Sequence, residues 1–211
     1  MKSYSKKNIE ELSKKDRLHL INSITGIKPA NLISTIDSQG NPNLAIFSSV
    51  IHLGSNPPLI GFVIRPSGEV PRHTYENIQE RGIYAINAIP TSLVEKAHYS
   101  SAKFDREVNE FERLDIEPYA CEEFEIPFVK ESPIKLGMKF REELDIKLND
   151  TKLIIGEVVY LEINESDLND FNALRLDKAS IAGISGLNTY YSLNKIDAFP
   201  YARVNEVPKF K

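Results

Sequence analysis

The feature that most constrains this chain is a succession of short apolar runs, each stopped by turn-forming residues. Asn31–Ile36 is rich in β-branched side chains and ends at Asp37-Ser38-Gln39-Gly40, after which Asn43–Ser48 resumes the extended pattern. Two such runs joined by a short loop containing glycine predict a β-hairpin. Pro57-Pro58 punctuates the chain before Leu59–Ile64, a continuous apolar run of the kind buried on both faces of a sheet, and Arg65-Pro66-Ser67-Gly68 breaks it again. Ile83–Ala88 is extended up to Pro90. Ile134–Phe140 alternates apolar and polar, and Asn149-Asp150 separates it from Lys152–Leu161, which predicts a second, longer hairpin.

Helical signals are few. Thr74–Arg81 opens on a residue type suited to an N-cap and stops before Gly82, a good C′ residue. A second helix starts near Thr91 or Ser92 and carries Leu93, Val94 and Ala97. The first thirty residues read as a polar lead-in with one amphipathic stretch, Asp16–Ile21. The acidic segment from Asp105 to Glu131, interrupted by Pro118 and Pro127, reads as a long loop with one helical turn over Asn109–Arg113. Six or more strands with a few short helices predict a mainly β fold, a barrel. A chain of 211 residues can bury a core unaided. With no repeat and no linker, one domain is expected over residues 1–211, residues 1–11 and 196–211 being terminal extensions.

Composition removes whole classes. Hydrophobic residues at 41% and charged residues at 27% describe a globular chain rather than a disordered one. A net charge of −4 gives no broad basic surface, so neither nucleic acid nor membrane is an expected partner. The single Cys121 allows no internal disulfide, and His19, His52, His73 and His98 are too scattered for a zinc site. No apolar run is long enough to span a bilayer, and Met1–Lys7 leads into polar residues, so the expected compartment is the cytoplasm. Glycine-rich dinucleotide and phosphate loops are missing, and Gly183-Ile184-Ser185-Gly186 lacks the spacing of a nucleophile elbow.

Four clusters could carry chemistry. Arg65, then Arg72-His73-Thr74 at a helix start, combine guanidinium groups with unpaired backbone N–H groups and a hydroxyl, which suits a phosphate. The plainer alternative is solvated charge beside an ordinary Thr74 cap. Phe47-Ser48-Ser49-Val50 ends a core strand with small hydroxyl residues that let a planar ligand approach the backbone, or simply turn toward solvent. His98–Phe104 and Tyr190-Tyr191 are polar and aromatic; each also fits a mere element boundary or edge cover.

In this order these segments resemble the flavin reductase-like family of FMN-binding split barrels. The matching pieces are Asn31–Thr35, Asp37–Gly40, Asn43–Ser49, Pro57–Phe62, Arg72–Ile78 and Tyr84–Asn87. Ser101–Asp105, Glu110-Phe111 and the paired strands between Pro133 and Leu161 continue the likeness, which covers roughly residues 12 to 195. The resemblance implies a six-stranded Greek-key barrel, a homodimer, and FMN in a groove near the subunit interface. It implies that Phe47, Ser48, Ser49 and Val50 line the flavin ring and ribityl chain, and that Arg65, Arg72, His73 and Thr74 hold the phosphate. Asn87 and Ser100, Ser101, Ala102 and Lys103 would close the site. Many family members have Lys-Asp-Thr where this chain has Arg72-His73-Thr74, a change that removes a negative charge beside the phosphate. The implied activity is an NAD(P)H:flavin oxidoreductase, with NADH or NADPH as transient reductant and a partner monooxygenase as one possible acceptor; an FMN-binding electron carrier is the alternative. Hydride passes to the flavin without an acid–base side chain, so no catalytic residue is assigned.

Overall fold

The computed structural model describes residues 1–68 and 71–210. Two helices, α1 (Lys6–Glu11) and α2 (Lys14–Ser23), open the chain. Ser5 and Ser13 cap them by accepting from Asn8 and Asp16 N–H, and neither helix buries a residue. The lead-in is therefore more ordered than its composition suggests. The strands follow: β1 (Lys28–Pro29), β2 (Asn31–Ile36), β3 (Pro42–Phe47), β4 (Ile51–Ser55) and β5 (Pro58–Ile64). Helix α3 (His73–Arg81) leads into β6 (Ile83–Ala88) through Gly82, whose φ of 70° is the left-handed conformation that glycine adopts at least cost.

A 3₁₀ turn at Thr91–Leu93 runs into α4 (Val94–Tyr99), and α5 (Glu110–Arg113) starts at Asn109, whose Oδ1 accepts the Phe111 N–H. Then come β7 (Pro118–Cys121), β8 (Phe124–Val129), β9 (Ile134–Ile146), β10 (Thr151–Ile163), β11 (Ala182–Ser185) and β12 (Thr189–Ser192). Seven strands form one antiparallel sheet in the order β3-β2-β6-β9-β10-β5-β4. Six of them are those the sequence pattern indicates; β4 is a seventh, exposed and paired only to β5. Both expected hairpins are present as β2–β3 and β9–β10.

The sheet curls into a split β-barrel. Inside it Ile33, Phe62, Ile78, Tyr84, Ile86, Met138 and Ile154 form one buried cluster. The two ends of the sheet approach each other at Ser49, whose hydroxyl accepts the Val63 N–H (3.0 Å) and donates to the Val63 C=O (3.3 Å). Phe47 meets Phe62 edge-on beside this closure. Gly156 is required opposite Tyr84, because a methyl group there would overlap the tyrosine hydroxyl.

Two differences from the sequence reading stand out. Residues 118–129 are not a loop but the β7–β8 hairpin, which lays Phe124, Ile126 and Phe128 on the outer face of the barrel. The chain near Tyr190 belongs to a three-stranded sheet, β1-β11-β12, that pairs residues more than 150 positions apart. Residues 196–210 are exposed throughout, while Lys211 lies outside the described residues. Among the described residues no helix is long and apolar enough to cross a membrane.

Candidate functional site

A cavity of about 700 Å³ opens where β3, β5, α3, the segment after α4 and the small sheet converge. That volume lies within the range of small-molecule sites. Its first wall is the end of β3 with Phe47, Ser48 and Ser49; the second is Val63 to Arg65 at the end of β5. Pro71 to Thr74, at the start of α3, form the third. Ser100 to Phe104 close it on one side, and Lys28, Ile184, Leu187 and Asn188 on the other.

Helix α3 starts two residues earlier than a Thr74 cap requires. Arg72 occupies the N-cap position and no side chain caps the helix. The first intrahelical bond recorded runs from the Glu76 N–H to the Arg72 C=O (3.0 Å). The N–H groups of His73, Thr74 and Tyr75 therefore have no partner among the described residues, at the positive end of the helix dipole. Thr74 sits inside the first turn, where its hydroxyl accepts from Asn43 Nδ2 (3.1 Å). Asn43 also reaches Thr35, and Asn77 donates to the same Thr35 hydroxyl (3.0 Å), so buried polar side chains pin α3 against the β2–β3 hairpin.

Arg72 donates one weak bond from Nη2 to the Pro66 C=O (3.4 Å), and its Nε is buried with no partner among the described residues. Among the described residues its guanidinium keeps most of its donors uncommitted where Arg72 lines the cavity. The charges agree. Among the described residues, Lys28, Arg65, Arg72 and Lys103 line the cavity against one carboxyl group, Glu110, although the whole chain carries −4. Glu110 is buried and accepts the Leu44 N–H (3.1 Å) at the free edge of β3. Burial pushes its pKa up, and the hydrogen bond from the Leu44 N–H opposes that shift.

Of the thirteen residues that the sequence suggests, eleven line this cavity: Phe47, Ser48, Ser49, Arg65, Arg72, His73, Thr74, Ser100, Ser101, Ala102 and Lys103. Val50 and Asn87 do not. Val50 packs against the barrel core. Asn87 is fully buried, donating from Nδ2 to the Leu32 C=O and the Ser34 hydroxyl and accepting the Val129 N–H (2.8 Å), so it ties β2, β6 and β8 together. Two of the eleven have hydroxyls already engaged by the backbone: Ser49 at Val63, and Ser100 at the Ala97 C=O (2.8 Å). Lys28, Asn43 and Asn188 also line the cavity beyond what the sequence suggests, as do His98 and Glu110, which the sequence offers only within the His98–Phe104 cluster and the family-like Glu110-Phe111 piece. For Glu110 a partial signal existed, since Asn109 is an evident N-cap; its burial depends on strands distant in sequence.

Barrel and site together define a flavin reductase-like protein. A flavin reductase-like domain model matches residues 27–178, and the chain belongs to that family. A candidate flavin reductase with a split barrel domain from Shewanella frigidimarina superposes with a TM-score of 0.91 at 43% identity, covering 96% of this chain and all of that one. Nitrilotriacetate monooxygenase component B from Bacillus cereus shares the fold at a TM-score of 0.81 and 20% identity, over 94% of this chain and 98% of its own. The Bacillus subtilis protein YwrF, of unassigned function, is 23% identical over 160 residues, spanning 74% of this chain and 78% of its own.

Proposed function

We propose that the cavity binds FMN and that the protein is an NAD(P)H:flavin oxidoreductase. The observation that carries this reading is the anion-binding end of the cavity, where a helix N-terminus with no side-chain cap meets the lining residues Arg65 and Arg72. These groups fit a flavin mononucleotide phosphate. The α3 N–H groups donate to its oxygens, Arg72 supplies charge-assisted bonds, and Arg65 adds a second guanidinium from the end of β5. Ser48 and Ala102 are small and leave the β3 backbone open to a planar ring. Structural neighbours point the same way: flavoredoxin from Desulfovibrio vulgaris (TM-score 0.72, 23% identity) and an FMN-binding protein from Thermus thermophilus (TM-score 0.71, 15% identity) have this fold.

FMN bound there would supply the redox chemistry, hydride acceptance from NADH or NADPH and electron transfer to an acceptor. The chain's own residues bind and orient. Lys28, Arg65, Arg72, Lys103 and the α3 end give the cavity an excess of positive charge over Glu110 among the described residues. A homodimer is part of the proposal. Leu53, Leu144 and Ile146 are exposed large apolar residues; Leu144 lies opposite Leu153, which with Leu53 flanks Gly61, so they share one face of the sheet. A second copy of the chain covering that face stands beside Thr151, which lines the cavity. A partner monooxygenase is one acceptor this reading allows.

Titration of the purified protein with FMN, followed by anaerobic mixing with NADH and with NADPH, tests the reading. Bound flavin whose absorption bleaches with either nucleotide is the expected result. No flavin binding contradicts the cofactor, and bound flavin that neither nucleotide bleaches makes the protein a carrier rather than a reductase. Sedimentation showing only monomer with FMN bound contradicts the dimer.

A further inference from the structure

The cavity has a second wall chemistry that phosphate binding at Arg72 does not use. Lys28 lies directly opposite Ile184 across β1 and β11, and Ile184 lies opposite Tyr190 across β11 and β12. Directly opposed residues in antiparallel strands share a face, so Lys28, Ile184 and Tyr190 form one row across the small sheet. Lys28 and Ile184 line the cavity, and the Tyr190 hydroxyl stands 3.1 Å from His98 Nδ1, on another lining residue. The two rings meet edge to face with centroids 5.8 Å apart, which fixes the imidazole. The Lys28 ammonium donates to the Asn22 C=O (2.8 Å), which anchors it and leaves two of its three donors uncommitted. No carboxylate pairs with it among the described residues. Except for Lys28 and His98, this wall is built from residues outside the family-matched span: Asn22 before it, and Ile184, Leu187, Asn188 and Tyr190 after it.

We propose that Lys28 and His98, held by Asn22 and Tyr190, form a second anion subsite that selects the second substrate of the reaction. The ligand chemistry is a planar ring bearing an anionic group, the ring against Ile184 and Leu187 and the anion at Lys28. A nucleotide reductant offers such an anion as phosphate, and an aromatic acid acceptor offers it as carboxylate. The assignment rests on the flavin reading, because FMN must fill the Arg72 end for the second ligand to be confined to this wall. It also accounts for a positive charge on the small-sheet wall of the cavity in a chain of net negative charge.

Calorimetric titration of the protein saturated with FMN, using ADP in one arm and benzoate in the other, tests it. One or both should bind; ADP alone marks a nucleotide phosphate, benzoate alone an aromatic carboxylate, and both a subsite that reads charge on a ring. Lys28→Met should weaken that binding about tenfold or more, the loss of a charge-assisted hydrogen bond. Lys28→Arg should retain most of it, and Tyr190→Phe, which keeps the ring and frees His98, should lose less than Lys28→Met. FMN affinity, measured alongside, should stay within about twofold in all three variants. Two results overturn the subsite alone: FMN bound with neither probe bound, or either probe bound equally by wild type and Lys28→Met. A wild-type chain that fails to bind FMN overturns the flavin reading and this inference with it. Should Lys28→Met melt far below wild type, Lys28→Arg and Tyr190→Phe still decide the matter through the same ordering.

Discussion

The barrel interior and the cavity beside it are built from the same strands, yet they treat polar groups in opposite ways. Inside, Phe62, Tyr84, Ile86, Met138 and Ile154 leave almost nothing that needs a partner, the Tyr84 hydroxyl being the exception. At the cavity no side chain caps α3, and its first N–H groups have no acceptor among the described residues. A core is stable because its groups are complete; a binding site is useful because some are not. Between the two lies a polar layer, Thr35, Asn43, Thr74 and Asn77, whose hydrogen bonds are made within the protein and whose task is to hold α3 in place.

Substitutions should break this contrast in order of how deep they lie. Phe62→Ala removes a ring that contacts both Phe47 and Tyr84 and should cost roughly 3–5 kcal/mol of stability by denaturant unfolding. Gly156→Ala should cost about 1–3 kcal/mol, because the added methyl displaces the Tyr84 hydroxyl, and most of that loss should vanish in a Tyr84→Phe background. Equal losses with and without the tyrosine hydroxyl would show that Gly156 is needed for backbone reasons instead. Glu110 sharpens the comparison at the smallest scale. Its pKa is raised in the folded state, so folding favours its protonated form, and its contribution is complete below the unfolded carboxylate pKa and declines as pH rises through the folded value. Unfolding free energy measured from pH 4 upward should show that decline, and Glu110→Gln should flatten it.

Local patterns made much of the barrel legible. The β2–β3 and β9–β10 hairpins, β5 and the α3–Gly82 junction each rest on signals within a few residues, and each is where those signals place it. The β7–β8 hairpin was hidden because Pro118, Pro127 and a run of acids mask the alternation of Phe124, Ile126 and Phe128. The β11–β12 strands are four residues long and pair with β1 from the far end of the chain, a partnership no local window contains. The same limit governed the site. Arg72 to Thr74 could be read because a helix start is a local event. Asn87 looked like a site residue but spends its amide on Leu32, Ser34 and Val129, while Lys28 and Glu110 reach the cavity only through tertiary packing.

The central claim is that the α3 end of the cavity holds a phosphate, and flavin affinities with and without that phosphate test it most directly. Wild type should bind FMN more tightly than riboflavin. Arg72→Ala should weaken FMN about ten- to hundredfold, the range for one hydrogen bond to a charged group, and leave riboflavin nearly unchanged. Lys103→Ala serves as the control, affecting both flavins alike if it faces the ring. Equal losses for FMN and riboflavin in Arg72→Ala would contradict the account and make Arg72 a structural residue.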